Sequence, residues 1–261
     1  MAQVENFYLN DYCDQPYPMI QHIAPTNLMP THPKKTSQSL IDIPLFSGLS
    51  SRDRLKLAGS LRKRHYKTGE IVFHEGDPGD ALYVVLSGTV RIYTGGRENG
   101  FETSVILFGR PGDVFGELAL IDGEPRSASA KAMEDTTVYL MAREAFQWHM
   151  QTIPKLAINF MSLMSRNMRK NVEHMDSLSS QNVGERLAKL LVKLMDDFGR
   201  RQGQNVVLDL HLNQTELASM IGATRESTNR AMRSLKKQQI VERKDGKLLV
   251  HNTGRLRKLS E

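Results

Sequence analysis

Between residues 65 and 140 closely spaced glycines cut the chain into short apolar segments, which leaves few architectures open. EIVFHEGDPGD (70–80), ALYVVLSGTVRIYTGG (81–96), SVILFGRPGDVFG (104–116) and TTVYLMA (136–142) are bounded by turn residues. Turn signals at this spacing predict strands closing into a jelly roll or barrel. Gly69, Gly76, Gly79, Gly88, Gly112 and Gly123 are read as turn positions needing unusual backbone angles. Upstream, IDIPLFSGLSSRDRLKLAGSLRKRHY (41–66) reads as a short leading helix and then a longer one. Ser50 or Ser51 caps the longer helix, with Leu55, Leu57, Ala58 and Leu61 as its apolar positions.

From residue 143 the pattern turns helical, and Pro154 is placed near N1 of a long helix. Ala157, Met161, Met164, Met168, Asn171, Met175 and Leu178 follow spacings of 4, 3, 4, 3, 4 and 3. That is a heptad seam over about three heptads, on roughly 36 Å of helix. One helix can bury such a stripe on its own domain, but the strict repeat favours two helices packing in a parallel dimer. SLSSQNVG (177–184) reads as a hinge. Val183 to Phe198 then forms an amphipathic helix with Leu187, Leu190, Leu191 and Leu194 on its core face.

The last third reads as a winged helix-turn-helix. Asn213 caps a helix with Glu216 at the capping-box position. Leu217, Ala218 and Ile221 face inward, and Gly222 makes the turn. The following helix, TRESTNRAMRSLKKQ, exposes Arg225, Glu226 and Arg230 on one side, while Ala231 and Leu235 face the core. A helix start in the major groove can set Arg on guanine O6/N7 and Glu on cytosine N4–H. VERKDGKLLVHN supplies a hairpin wing turning at Asp245-Gly246. Charge agrees with this reading: residues 183–261 hold 16 Lys/Arg against 9 Asp/Glu, whereas residues 1–182 hold 19 against 20. The basic character belongs to the C-terminal third and points to an anionic polymer, nucleic acid first.

Other classes recede. No apolar run approaches 18 residues, so no membrane span is expected, and the N-terminus lacks the pattern of a signal peptide. A single cysteine, Cys13, forms no intrachain disulfide and fits a reducing cytoplasm. His65 and His74 stand alone without metal-ligand spacing, so no metal is expected. No nucleophile–base–acid set stands out, so no enzyme is expected. Residues 1–37, with five prolines, read as an extension that is flexible or lies along the domain surface, where Tyr8, Tyr12 and Tyr17 offer packing groups.

Within FGELALIDGEPRSASAKA (115–132), Glu117 and Arg126 stand nine residues apart across a turn. A guanidinium pairs two oxygens of a phosphodiester in a planar fork. Ser127 and free backbone N–H groups can complete the phosphate shell. The Glu117 carboxylate can accept from a ribose 2′-OH, and Gly116 admits close approach of the backbone. This stretch resembles the phosphate-binding cassette of cyclic-nucleotide-binding domains. With the helix-turn-helix, about residues 38 to 253 resemble the CRP/FNR family of bacterial regulators, its cAMP-receptor branch above all. One cysteine cannot ligate an iron–sulfur cluster by itself, which removes the oxygen-sensing branch.

The resemblance implies an α+β chain in four parts: an extension (1–37), a cyclic-nucleotide-binding β-roll (38–152), a dimerisation helix (153–180) and a winged helix-turn-helix domain (181–261). It implies Gly116, Glu117, Leu118, Ala119, Arg126 and Ser127 as ligand-binding residues. At the two base-contacting positions of the long helix the cAMP branch carries Thr–Ser, and this chain carries Asn171 and Val172. Asn171 can donate to and accept from a purine edge, or it can simply fix helix register; Val172 cannot hydrogen-bond at all. Arg225, Glu226 and Arg230 match the base-reading residues, with Thr224, Gln214, Lys236 and Lys237 as candidate phosphate contacts. The implied effector is cAMP, with cGMP, cyclic di-GMP or ligand-independent DNA binding as alternatives. Implied partners are a second copy, a palindromic TGTGA-type site on double-stranded DNA and RNA polymerase.

Overall fold

The structure is a computed structural model, and it describes residues 28–29, 32–95, 104–208, 210, 212–244 and 246–260. Tyr8, Tyr12, Cys13, Tyr17 and Asp245 lie outside these residues. Within the segment read as an extension, β1 (Leu28–Met29) pairs antiparallel with β2 (Leu61–Tyr66). Helix α1 (Pro33–Ser39) crosses the expected boundary at residue 37. A 3-10 turn (Pro44–Phe46) follows, and then α2 (Ser51–Ser60), whose cap is Ser50: its Oγ accepts from Asp53 N at 3.1 Å.

The helix expected to run on through RKRHY stops at Ser60. Residues 61–66 instead pair along their whole length with β9 (Thr136–Ala142). Leu61 and Tyr66 are fully buried, while the basic residues between them are exposed or half-exposed. Pairing with a strand seventy residues away overrides the local helical pattern. Leu55, expected inside, is exposed.

Two antiparallel sheets form the roll. One has the order β1-β2-β9-β4-β7, with β4 (Ala81–Ser87) and β7 (Val114–Phe115); the other has the order β3-β8-β5-β6, with β3 (Ile71–Phe73), β5 (Val90–Thr94), β6 (Ser104–Gly109) and β8 (Ser129–Ala132). Alternation along the strands explains both cores. Tyr83 and Val85 of β4 face the second sheet with Tyr66, Val90, Ala130 and Leu140. Leu82 and Val84 of the same strand face the helices, with Leu57, Phe146, Leu156 and Phe160. Five of the six singled-out glycines have positive φ; Gly79 does not, and a Cβ there would lie 2.1 Å from the Ala119 Cβ. Its absent side chain serves close packing instead of a turn.

Helix α4 (Arg143–Thr152) leads through Ile153 to α5 (Pro154–Ser180), with Pro154 at its first position. The expected hinge shrinks to Gln181 and Asn182, because α5 runs to Ser180 and α6 spans Val183–Phe198. The outward stripe of α5 also differs in register from the expected seam. Ile158, Met161, Met168, Val172 and Met175 are exposed at 51, 59, 70, 58 and 68 %. Met161, Met168 and Met175 keep their row, but their partner row is 158, 165 and 172. Met164 packs on its own roll, Ala157 is half-buried, and Asn171 lies beside the stripe.

The C-terminal domain packs α6, α7 (Gln214–Met220), α8 (Arg225–Lys237) and α9 (Thr253–Lys258) around Leu187, Leu191, Leu217, Leu235, Ile240 and Leu248. A sheet of order β10-β11-β13-β12 closes it: β10 (Gly199–Gln202), β11 (Asn205–Leu208), β12 (Val241–Lys244) and β13 (Lys247–Val250).

Candidate functional site

The cassette is built where β7 ends. Gly116 turns the chain at φ +74°, α3 (Leu118–Asp122) follows, and Gly123 at φ +81° closes it. Arg126 then folds back beneath Gly116. Its Nη1 donates to the Gly116 carbonyl at 2.6 Å and its Nη2 to the Ala81 carbonyl at 2.7 Å, with Asp80 Oδ1 at 3.4 Å. The guanidinium lies 4.3 Å from the Phe73 ring centre and 5.7 Å from that of Tyr83, and Tyr83 stacks on Phe115. Charge over aromatic faces in a dry pocket is attractive. A Cβ on Gly116 would lie 2.7 Å from Arg126 Nη1, so only glycine leaves room for this guanidinium.

Burial governs the ionisable groups here. It pulls Arg126 below the usual arginine value, and it pushes the Glu117 carboxyl above the usual carboxylate range despite the nearby Arg126. Arg126 Nε is buried without a partner among the described residues. Ala119 is buried, while Leu118 and Ser127 are exposed at the rim. The side chains of Asn171 and Val172 are exposed on α5.

Arg143 escaped the sequence reading, because nothing in its spacing marks it. Its guanidinium donates to the Gly79 carbonyl and, at 2.6 Å, to the Ala119 carbonyl, tying α3 to the loop ahead of β4. Phe73 and Tyr83 were likewise legible only as strand residues.

In the C-terminal domain the capping box forms: Asn213 Oδ1 accepts from Glu216 N at 2.9 Å, and Glu216 Oε2 accepts from Asn213 N at 2.6 Å. Gly222 turns at φ +59°, where a Cβ would lie 2.5 Å from Leu178 of α5. Arg186 fastens the same turn, donating to Ile221 O at 2.8 Å and Gln181 O at 2.6 Å. Thr224 caps α8 through Ser227 N, so its hydroxyl already has a structural task. Arg225, Glu226 and Arg230 are exposed near the start of α8, while Thr228 and Leu235 are buried on its inner side. Lys237 is exposed, and Lys236 stands 3.7 Å from Glu242 in an exposed pair of small energetic weight. Gln214 is half-buried in a cleft of about 210 Å³ together with Arg233, Lys236 and Arg243. Sequence reasoning did not single out Arg233 and Arg243, since one basic residue among many carries no spacing signal.

Residues 63–152 match the family described as cyclic nucleotide-binding domain, and residues 185–259 match that described as Crp-like helix-turn-helix domain. The "Cyclic AMP receptor protein" of Thermus thermophilus is 33% identical over 217 residues, covering 83% of this chain and 96% of that protein. The chain belongs to the CRP/FNR family. This CRP/FNR-family protein is a cyclic-nucleotide-regulated, DNA-binding transcription regulator, and its family is not an enzyme family. A "CRP-like cAMP-activated global transcriptional regulator" of Mycobacterium tuberculosis is 29% identical, covering 81% of the chain and 94% of the relative. A CRP/FNR-family transcriptional regulator of Thermus thermophilus superposes with a TM-score of 0.65 at 25% identity, covering 76% of this chain and 97% of that one. FixK2 of Bradyrhizobium japonicum shares the fold, with a TM-score of 0.62 at 23% identity, 76% coverage of this chain and 96% of its own. In this regulator no helix of the described residues is long and apolar enough to cross a membrane. Among the described residues, no three His, Cys, Asp or Glu side chains cluster as metal ligands.

Proposed function

We propose that the effector is cAMP and that the regulator acts as a homodimer on a palindromic TGTGA-type site. The carrying observation is the buried Arg126 guanidinium, cradled by Gly116 beside Glu117 with its Nε unpartnered. A single negative charge flanked by a ribose hydroxyl suits that set: guanidinium for phosphate, carboxylate for 2′-OH. The printed names of the relatives, a cyclic AMP receptor and a cAMP-activated regulator, support the same ligand. Leu118, Ala119 and Ser127 line the rim in this reading, and Asn171 supplies the purine contact that Val172 cannot.

The exposed stripe of α5 supports the dimer. An apolar row of Ile158, Met161, Met168, Val172 and Met175 along one helix is a surface for a second copy. Arg225, Glu226 and Arg230 are the base-reading residues; Gln214, Thr224, Lys236 and Lys237 hold phosphates. RNA polymerase is the proposed downstream partner and the cytoplasm the proposed location.

Val172 favours a second reading, in which the base differs and the effector is cGMP or cyclic di-GMP. Calorimetric titration with the three nucleotides separates the two, followed by DNA binding with any that registers. Saturable cAMP binding that tightens binding to the palindrome is expected. No heat from any nucleotide, with tight DNA binding in its absence, moves the protein to the ligand-independent class.

A further inference from the structure

Two arginines fasten the same two stretches of the roll. Arg126 bridges Gly116, where the cassette turns, to Ala81, the first residue of β4: Nη1 donates to the Gly116 carbonyl and Nη2 to the Ala81 carbonyl. Arg143, the first residue of α4, bridges those stretches a few residues away. Its guanidinium donates to the Gly79 carbonyl, at 3.0 Å from Nε, and to the Ala119 carbonyl of α3, at 2.6 Å from Nη2. Its backbone N–H donates to the Asp80 carbonyl at 2.8 Å. The bridged stretches are in direct contact, since a Cβ on Gly79 would lie 2.1 Å from the Ala119 Cβ.

The two bridges differ in what a phosphate demands of them. A guanidinium holds a phosphate in a planar fork through two neighbouring N–H groups, either Nη1 with Nη2 or Nε with Nη2. Both forks include Nη2. In Arg126 that nitrogen donates to Ala81 O at 2.7 Å and to Asp80 Oδ1 at 3.4 Å, which engages both of its hydrogens. A phosphate held bidentately therefore takes Nη2 from Ala81 or from Asp80, and the hold of Arg126 on the start of β4 loosens as the ligand enters. The bonds of Arg143 share no donor and no acceptor with those of Arg126, so they survive that exchange.

We propose that Arg143 is a positioning residue for nucleotide binding: it holds α3 on the stretch 79–81 while Arg126 exchanges a protein acceptor for the nucleotide phosphate. The inference rests on the reading above, in which Arg126 takes that phosphate. Without Arg143, α3 and the neighbouring Glu117 are free to shift against Arg126 as the phosphate draws its Nη2 away. The ribose and phosphate contacts then lose their fixed separation.

The test is calorimetric titration of full-length wild type, Arg143→Gln and Arg143→Lys with cAMP. The Sp and Rp diastereomers of its phosphorothioate follow, in which sulfur replaces one or the other exocyclic oxygen. Both variants should bind cAMP about 10–100-fold more weakly, the equivalent of one charge-assisted bond. Lysine should not rescue, because an ammonium lacks the planar fork that spans two carbonyls. The ratio of Sp to Rp affinity should move toward one in both variants, since a looser cassette distinguishes the two oxygens less; a general loss of stability weakens both diastereomers equally. If Arg143→Gln does not fold, Arg143→Lys, which keeps the charge, decides alone. Wild-type cAMP affinity in either variant, or an unchanged diastereomer ratio, overturns the assignment. If wild type itself gives no heat with cAMP, the parent reading has failed, and urea denaturation without nucleotide decides whether the two arginines share one task. Arg126→Gln, Arg143→Gln and the double variant are then compared: two bridges on the same stretches make the double loss exceed the sum of the single losses. Additive losses overturn the shared bridge.

Discussion

Gly116→Ala tests the cassette geometry without removing any of its functional groups. The residue sits at φ +74°, where an L side chain crowds its own backbone at a cost of about 1–2 kcal/mol. The new methyl group would lie 2.7 Å from Arg126 Nη1 and 3.3 Å from both Phe73 Cε1 and Tyr83 Cδ2. The guanidinium is the softer neighbour, so it moves, and the 2.6 Å bond to the Gly116 carbonyl breaks. A hydrogen bond to a charged group contributes about 1.5–3 kcal/mol, so the total destabilisation is about 2.5–5 kcal/mol. A displaced guanidinium should also weaken nucleotide binding by roughly 10–100-fold, the equivalent of one charge-assisted bond. Gly69→Ala is the matched control: φ there is +82°, with nothing within 4 Å of the added Cβ, so only the backbone cost applies. Urea denaturation and calorimetric titration with cAMP are run on both variants. Equal stability losses in the two, with full nucleotide affinity in Gly116→Ala, would refute the cradle reasoning.

Replacing Arg225 by Ala should relax specificity at one guanine by about 1–3 kcal/mol; an equal loss across all sequences in a competition assay would make it a phosphate contact. His149 is buried with its Nε2 2.9 Å from Ser60 Oγ, and burial, with Lys56 adding to it, lowers its pKa from 6.5 to about 4. A depressed folded value means the neutral form is favoured, so stability is intact above pH 6.5 and lost as pH falls through about 4, by about 3 kcal/mol in all. Denaturation midpoints between neutral pH and about pH 4 should fall less in His149→Gln than in wild type; identical slopes would contradict the assignment. Met168→Glu, at the most exposed point of the α5 stripe, should leave each subunit folded while weakening self-association by about 1.5–3 kcal/mol per copy. Sedimentation that finds the variant as tightly associated as wild type would move the interface elsewhere.

The features legible in the sequence are those whose causes are local. Asn213 and Glu216 form their cap because a cap is a matter of three-residue spacing, and Ser50 caps α2 for the same reason. Pro154 stands at N1 of α5 because its ring cannot occupy a helix interior. Positive φ at Gly76, Gly88 and Gly112 followed from glycine placed between apolar runs. Errors arose where a distant partner outvoted the local pattern. RKRHY became a strand because β9 offers it a full ladder. The α5 seam shifted by one residue on its second row because Met164 finds the roll.

The candidate site divides along the same line. Residue identity and order marked Gly116, Glu117 and Arg126 as a candidate set, and they gave the helix-turn-helix after them and the basic C-terminal third, since charge, hydrogen-bonding capacity and helical period belong to the residues themselves. Tertiary packing alone decided that Arg126 rests on Phe73 and donates to Gly116 and Ala81, that Arg143 fastens α3, and that Glu216 serves an arginine of another domain as well as its own helix cap. No pattern along the chain encodes those contacts, because each joins strands or helices that only the closed sheets and the docked domain bring within hydrogen-bonding distance.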